Sequence, residues 1–414
     1  MKAVVYNLGC KVNKYECDCL IGKLRAKGYD VSEKLERADI YIINTCAVTA
    51  EAERKSRQCV GRCLKLNGDA RVIVTGCASQ DDAAPFASSP RVSYVCGTAG
   101  KADIADKLDA IGVDVIDLPL EYEELSNPET DRTRMSVKIQ DGCDNYCSYC
   151  LIPYLRGRSR SRSEDAIVAE CMSLSRKTCE IVLTGIDISS YGKNTGSSLA
   201  ALLTKLKDVD CRIRLGSLEA SVITHELLEA CKALPRFCPQ FHLSLQSGCD
   251  SVLKRMNRHY TADEYADKVR LIRSYFPCAA ITTDLICGFP AESEEDFEQS
   301  IAFIDAIGFS HVHVFGYSPR KGTAAAKLKP LHGNVIKDRC MRAQSIAKAC
   351  SDRYLESLNG KVLEVLTESV EGEYTCGFSR EYVRCYISGA PQGSIVKAKA
   401  TELFGEGLLC EIIG

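Results

Sequence analysis

The sequence predicts an α/β protein in three parts: an N-terminal doubly wound parallel-sheet domain, a central partial (β/α)6 barrel and a small C-terminal β-barrel. Three observations carry this reading. Short apolar runs alternate with stretches of helical period through the N-terminal quarter; six strand-like runs recur from Met135 to Phe315 with helical material between them; and the tail from Lys361 alternates apolar and polar residues in short runs broken by Gly and Pro. At 414 residues the chain is also too long for one hydrophobic core.

Ala3–Leu8, Asp39–Asn44 and Val72–Thr75 read as the first strands, and Cys17, Leu20, Ile21 and Leu24 mark an apolar helical face between them. Strands alternating with helices favour a parallel sheet covered on both faces, which sets a first domain at 1–117. Leu118–Arg134, LPLEYEELSNPETDRTR, shows neither period and reads as a linker. Met135–Gln140, Glu180–Thr184, Cys211–Leu215, Phe241–Leu245, Ala280–Leu285 and His311–Phe315 follow as barrel strands of a second domain at 129–355. Chemistry is therefore expected in the loops that leave their carboxyl ends. Ile336, Cys340, Ala343, Ala347, Cys350 and Tyr354 share one face of a long helix that Gly360 ends. Val362–Leu366, Tyr382–Ile387 and Ser394–Ala400 belong to a small antiparallel barrel over 356–414.

Charged residues make up 26% of the chain and apolar ones 45%, the balance of a globular protein with little disorder. A net charge of −2 points to no partner by itself. No apolar run approaches the roughly 18–20 residues of a membrane span, and the start lacks the features of a signal peptide, so no membrane partner and a cytoplasmic location are expected. Twenty-four cysteines without a framework spacing fit reduced thiols. Most of them should pack as small hydrophobes, including the pairs Cys59, Cys63 and Cys17, Cys19. His311 and His313 share a strand face with no neighbouring carboxylate in sequence and read as barrel lining. The turn Cys287-Gly288-Phe289-Pro290 lacks the Lys-Ser/Thr of a phosphate loop.

Directly after the first barrel strand comes Asp141-Gly142-Cys143-Asp144-Asn145-Tyr146-Cys147-Ser148-Tyr149-Cys150. Three thiolates in one short loop suit three irons of a 4Fe-4S cluster and leave the fourth iron open. Structural zinc wants four closed ligands, and no fourth Cys or His follows closely; zinc and plain packing remain the alternatives. A second set, Cys10, Cys46 and Cys77, is scattered in sequence, but each ends an apolar strand: VVYNLGC, IYIINTC and VIVTGC. In a parallel sheet those ends share one edge, so the three converge either as a second cluster site or as buried packing. Cys96, after Val92–Val95, is a competing ligand.

The CxxxCxxC loop with Tyr149 before its last cysteine resembles the radical S-adenosylmethionine superfamily. That resemblance implies that the open iron chelates S-adenosylmethionine and that cofactor cleavage yields a radical. LGCKVNKYE, NTCAVT and VTGCASQ, with that loop and the terminal β domain, resemble the methylthiotransferase family across nearly the whole chain. The family implies two 4Fe-4S clusters, one on Cys143, Cys147 and Cys150 and an auxiliary one on Cys10, Cys46 and Cys77 that carries the sulfur, together with an electron donor of flavodoxin or ferredoxin type. GCKVNKYE resembles the branch that methylthiolates threonylcarbamoyl-adenosine beside the anticodon, which makes the tRNA anticodon stem-loop the expected partner. Related branches act on isopentenyl-adenosine or on an aspartate of a ribosomal protein, and a non-catalytic iron-sulfur or RNA-binding protein is the remaining rival.

Tyr149, Gly185, Glu219, Gln246 and Asp284 lie in segments that resemble the family's cofactor pocket, while Asp187 and Gly316 stand where relatives commonly carry His and Pro. Arg156, Arg158, Arg160 and Arg162 form a strip free of acidic residues which, if extended, lays four guanidinium forks on one face for an RNA backbone; a solvated loop paired to Glu164 and Asp165 is the alternative. The terminal domain resembles the TRAM module. Nine glutamates against five basic residues leave it at −4 over 356–414, which is not a general RNA-binding surface.

Overall fold

Six parallel strands form the N-terminal sheet: β1 Lys2–Asn7, β2 Asp30–Ser32, β3 Ile40–Thr45, β4 Arg71–Gly76, β5 Val92–Cys96 and β6 Gly112–Asp114, in the order β2-β1-β3-β4-β5-β6. Both faces are buried. Val4, Tyr41, Ile43, Val72, Val74 and Val95 pack on one side, and Ala3, Val5, Ile40, Ile42, Ile73 and Tyr94 on the other. Fully apolar strands of this kind require helices on both faces, as the alternating rhythm predicts. The order reverses between β1 and β3, so loops leaving those strands diverge and open a crevice, the usual ligand position in such sheets. The computed structural model describes residues 1–130 and 132–413; Asp131 of the expected linker and Gly414 of the terminal domain lie outside them.

The described part of the 118–133 stretch holds no strand or helix, yet it is tied down. Tyr15 Oη donates to the Leu125 carbonyl at 2.6 Å, the Ala102 amide donates to Glu123 Oε1 at 2.8 Å, and Leu125 is buried. All six expected barrel strands are present: β7 Arg134–Asp141, β9 Glu180–Gly185, β10 Arg212–Leu215, β12 Gln240–Leu243, β13 Ala280–Cys287 and β14 His311–Gly316. Two-residue strands β8 Arg160–Ser161 and β11 Ser217–Leu218 are added to them. β9 pairs with β10, and β11, β12, β13 and β14 pair in sequence, all parallel. Helices Glu164–Leu174, Leu199–Lys205, His225–Ala233, Ala262–Tyr275 and Glu294–Ile307 separate them. Both longer late helices start at capping boxes, Thr261 with Glu264 and Ser293 with Asp296. Helix Gly333–Glu356 then ends one turn before Gly360.

Strands β15 Val362–Glu371, β16 Tyr374–Ser379, β17 Arg384–Ser388, β18 Ile395–Phe404 and β19 Gly407–Ile412 close into a barrel, β15-β16-β17-β19-β18. Antiparallel pairing is expected throughout, but β17 and β19 are parallel. The reason is topological: up-down alternation cannot close around an odd number of strands, so one pair must break it.

The chain divides into two compact units. The first holds Met1–Glu170, Thr184–Gly196 and Ser318–Ala324; the second holds Cys171–Leu183, Ser197–Tyr317 and the residues from Ala325 onward. Both cysteine triads belong to the first unit.

Candidate functional site

Cys10 follows β1 as the N-cap of helix Lys11–Ala26, Cys46 follows β3, and Cys77 follows β4 at the start of helix Cys77–Asp81. Two of the three therefore flank the crevice where the strand order reverses. Burial pushes the Cys46 thiol up to about 11, and negative charge at Cys77 and Cys10 adds to the shift. Cys96 is set apart. It packs on the opposite face of the sheet from Cys77, with Ala3, Ile40 and Ile73, and its Sγ lies 3.7 Å from the Val74 carbonyl oxygen. Cys96 is the last residue of β5 and is buried inside the sheet.

The second triad lies in a loop shaped by Gly142. Its φ is +73°, and a Cβ there would stand 2.0 Å from the Arg158 carbonyl oxygen, so only glycine lets the chain pass. The Cys143 amide donates to the Gly157 carbonyl at 3.0 Å and the Cys150 amide to the Cys147 carbonyl at 3.0 Å. Two further amides point at sulfur, Asn145 N to Cys143 Sγ at 3.5 Å and Ile152 N to Cys150 Sγ at 3.4 Å. Such donors stabilise thiolate ligands once protons are displaced. Burial pushes the Cys143 thiol up to about 12, with Asp187, Cys147 and Cys150 adding negative charge, so metal loading must release protons.

Among the described residues, the group of three potential ligands with all donor atoms within 4.8 Å is His242, Asp284 and His313; neither cysteine triad forms such a group. The histidine group also corrects the expectation that no carboxylate neighbours His313, because Asp284 stands opposite it in the β13–β14 register. His242 lies 3.3 Å from Asp284 Oδ2 and 3.0 Å from Thr282 Oγ1, and that hydroxyl accepts from Gln240. Thr282 donating to Nδ1 and Nε2–H donating to Asp284 satisfies His242 and Asp284 without an ion.

The arginine strip does not extend as an open row. Arg156 closes helix Ile152–Arg156 and is 1% exposed, Arg160 sits in β8 at 3%, and Arg162 is 2% exposed. Arg156 donates to Glu16 at 2.9 Å, to Asp141 at 3.1 Å and to Asn13 at 2.8 Å. Arg162 pairs with Glu124 and Glu170, and Arg160 donates to the Arg156 and Arg158 carbonyls. Only Arg158 of the four is exposed, paired to Asp144 at 2.6 Å. The expectation of four arginines laid open on one face is therefore corrected: three of the four are buried. Glu16 and Glu124, far away in sequence, draw Arg156 and Arg162 inward, and Arg160 turns to carbonyls of its own stretch. Exposed Tyr146 and Tyr154, their rings 5.8 Å apart edge to face, stand on the same stretch, and the spacing of charges in the sequence gave them no signal.

Of the expected cofactor contacts, Tyr149 and Gly185 lie in the first unit and Glu219, Gln246 and Asp284 in the second. A Cβ on Gly185 would strike Ile188 at 2.8 Å and Gln140 at 3.0 Å, so packing alone accounts for that glycine. Asp187 docks on the cysteine loop, accepting from Asn145 Nδ2 at 3.3 Å. Glu219 pairs with Arg258 at 2.5 Å. Gln246 holds a φ of +70° while its amide donates to the Asp284 carbonyl at 2.9 Å, a left-handed conformation that costs about 1 kcal/mol or more and is kept by surrounding structure.

The chain matches two family models: residues 2–97 match the uncharacterized protein family UPF0004 and residues 137–304 the radical SAM superfamily. It is 35% identical to the threonylcarbamoyladenosine tRNA methylthiotransferase MtaB of Bacillus subtilis strain 168 and 36% identical to that of Thermotoga maritima, covering 99% of this chain and 96% of each relative. It is 33% identical to a tRNA-2-methylthio-N(6)-dimethylallyladenosine synthase of Thermodesulfovibrio yellowstonii over 99% of this chain and 98% of that one. The radical S-adenosylmethionine methyltransferase TsrM of Kitasatospora setae shares the fold with a TM-score of 0.58 at 16% identity, over 78% of this chain and 77% of that one.

Proposed function

The chain belongs to the radical S-adenosylmethionine methylthiotransferases, in the branch of the threonylcarbamoyladenosine tRNA methylthiotransferases, and on that premise we propose how its residues divide the reaction. It is a transferase that methylthiolates threonylcarbamoyladenosine in tRNA, and its cofactors are S-adenosylmethionine and 4Fe-4S clusters. When bound, these groups supply the radical that activates an adenine carbon and the sulfur that is attached there.

Cys143, Cys147 and Cys150 hold the cluster that binds S-adenosylmethionine, and Cys10, Cys46 and Cys77 hold the auxiliary cluster. The observation that carries this assignment is the grouping of Cys10, Cys46 and Cys77 at neighbouring strand ends of one parallel sheet, with Cys96 turned to its other face. Tyr149, Gly185, Glu219, Gln246 and Asp284 contact the cofactor, and the domain limits are 1–117, 129–355 and 356–414. The tRNA presents its anticodon stem-loop, where an unstacked base reaches a pocket more cheaply than a paired one. Arg158 touches the RNA backbone, and Tyr146 and Tyr154 offer faces for stacking. No helix among the described residues is long and apolar enough to cross a membrane. The reaction runs in the cytosol, with a flavodoxin- or ferredoxin-type protein as electron source.

The test is mass spectrometry of tRNA nucleosides from cells with and without the gene. Loss of methylthio-threonylcarbamoyladenosine on deletion is expected; loss of the methylthio-isopentenyl nucleoside instead, or an unchanged nucleoside profile, overturns the reading. Anaerobically reconstituted enzyme should carry about eight irons in two clusters. Changing Cys143, Cys147 and Cys150 to alanine should abolish 5′-deoxyadenosine formation and leave one cluster.

A further inference from the structure

A buried pocket of the first unit holds two carboxylates and four cations, one of which, Arg160, stands 4.0 Å from Asp141. Glu16 pairs with Lys101, with Lys138 at 3.2 Å and with Arg156 at 2.9 Å, while Asp141 pairs with Lys138 at 2.6 Å and with Arg156 at 3.1 Å. None of the six side chains is more than 9% exposed. Glu16 is ion-paired to three of these cations and Asp141 to at least two, so both carboxylates count as charged. Positive charge is left in excess. An uncompensated buried cation is strongly destabilising, so an anion outside this set must face it.

Two observations locate that anion. Arg156 Nη2 and Cys10 Sγ share one acceptor, Asn13 Oδ1, at 2.8 and 3.5 Å, while Cys77 and Leu155, the neighbour of Arg156, pack in one core. Arg156 Nε, although buried, has no hydrogen-bond partner among the described residues. We infer that Arg156 is a charge-compensating, positioning residue for the auxiliary cluster, presenting the pocket's surplus positive charge to Cys10, Cys46 and Cys77. This rests on the reading that those three cysteines hold that cluster. A 4Fe-4S cluster on three thiolates is anionic, and one-electron reduction adds a further negative charge. A fixed cation beside it therefore favours the reduced form and raises its potential, the more so away from water.

The test is an EPR-monitored redox titration of the reconstituted full-length enzyme, repeated with Cys143, Cys147 and Cys150 changed to alanine so that the auxiliary signal stands alone. Arg156→Met should move that midpoint to lower potential, Glu16→Gln should move it higher, and Arg156→Lys should stay near the parent. Opposite shifts from neighbouring neutralisations are not what a merely structural role produces. If both neutral variants keep the parent midpoint, or both simply lose iron to the same extent while Arg156→Lys does too, the inference is wrong. If the parent with the three alanines holds no cluster at all, the assignment of Cys10, Cys46 and Cys77 itself fails, a distinct result read before any Arg156 variant is made.

Discussion

Replacing Glu180 with glutamine should loosen the terminal barrel, and its size follows from the contacts. Glu180, 1% exposed, receives Arg214 in a two-pronged bond, Nε to Oε1 at 2.7 Å and Nη2 to Oε2 at 3.1 Å, and lies 3.8 Å from Arg212. Both arginines are buried and reach into the barrel: Arg212 Nη2 donates to the Glu364 carbonyl at 2.6 Å and Arg214 Nη1 to the Arg380 carbonyl at 3.0 Å. Glutamine keeps the shape but removes the charge and turns an amide N–H₂ toward a guanidinium. Two charge-assisted bonds at about 1.5–3 kcal/mol each give a loss of roughly 3–6 kcal/mol, and breaking a buried pair from one side gives about 3–5. The two routes agree on about 4 kcal/mol, a fall in Tm on the order of 10 °C. Urea unfolding of the reconstituted enzyme should show that loss, and hydrogen exchange should speed first in β15 and β16. Asp210→Asn, which breaks the exposed Arg236 pair at 3.2 Å, should cost less than about 1 kcal/mol. A Glu180→Gln loss no larger than that of the Asp210 control would refute the reasoning.

Cys46→Ser should remove the auxiliary cluster and abolish methylthiolation while leaving 5′-deoxyadenosine formation, whereas Cys96→Ser should keep both clusters; iron content and product analysis separate the two. Arg158→Ala should weaken tRNA binding several-fold and lower the salt slope of log Kd by about 1, since one phosphate contact is lost, whereas Arg162→Met should destabilise the fold. Burial lifts the Asp18 carboxyl to about 6, above its unfolded value, although Lys14 pulls the other way. The folded state thus holds the extra proton between about pH 4 and 6, so Asp18 withdraws stability as pH rises through that window. Asp18→Asn should gain on the parent by about 2–3 kcal/mol between pH 4.5 and 7.5 in urea titrations. A pH-independent difference would count against a raised Asp18.

The parallel sheets were legible because buried strands carry near-continuous apolar runs, and β3, with all six residues buried, is the plainest case. The CxxxCxxC loop was legible because its ligands are local. Arg212 and Arg214 show where this reading stops. Alternating with Ile213 and Leu215, they look like the wet face of a strand, but all four residues are buried. The terminal barrel places carbonyls of β15 and β16 against them, and nothing near residue 212 announces Glu364 or Phe378.

By itself the sequence determined which thiols end strands, that three of the thiols share one short loop, and that helices alternate with parallel strands. These are properties of neighbouring residues and of hydrophobic period. Only the tertiary structure decided that Cys77 and Cys96 part to opposite faces, and that three of four arginines in one strip turn inward to Glu16, Asp141, Glu124 and Glu170 or to backbone carbonyls. Charge pairing depends on distance in space and on the exclusion of water, and the linear order of residues records neither.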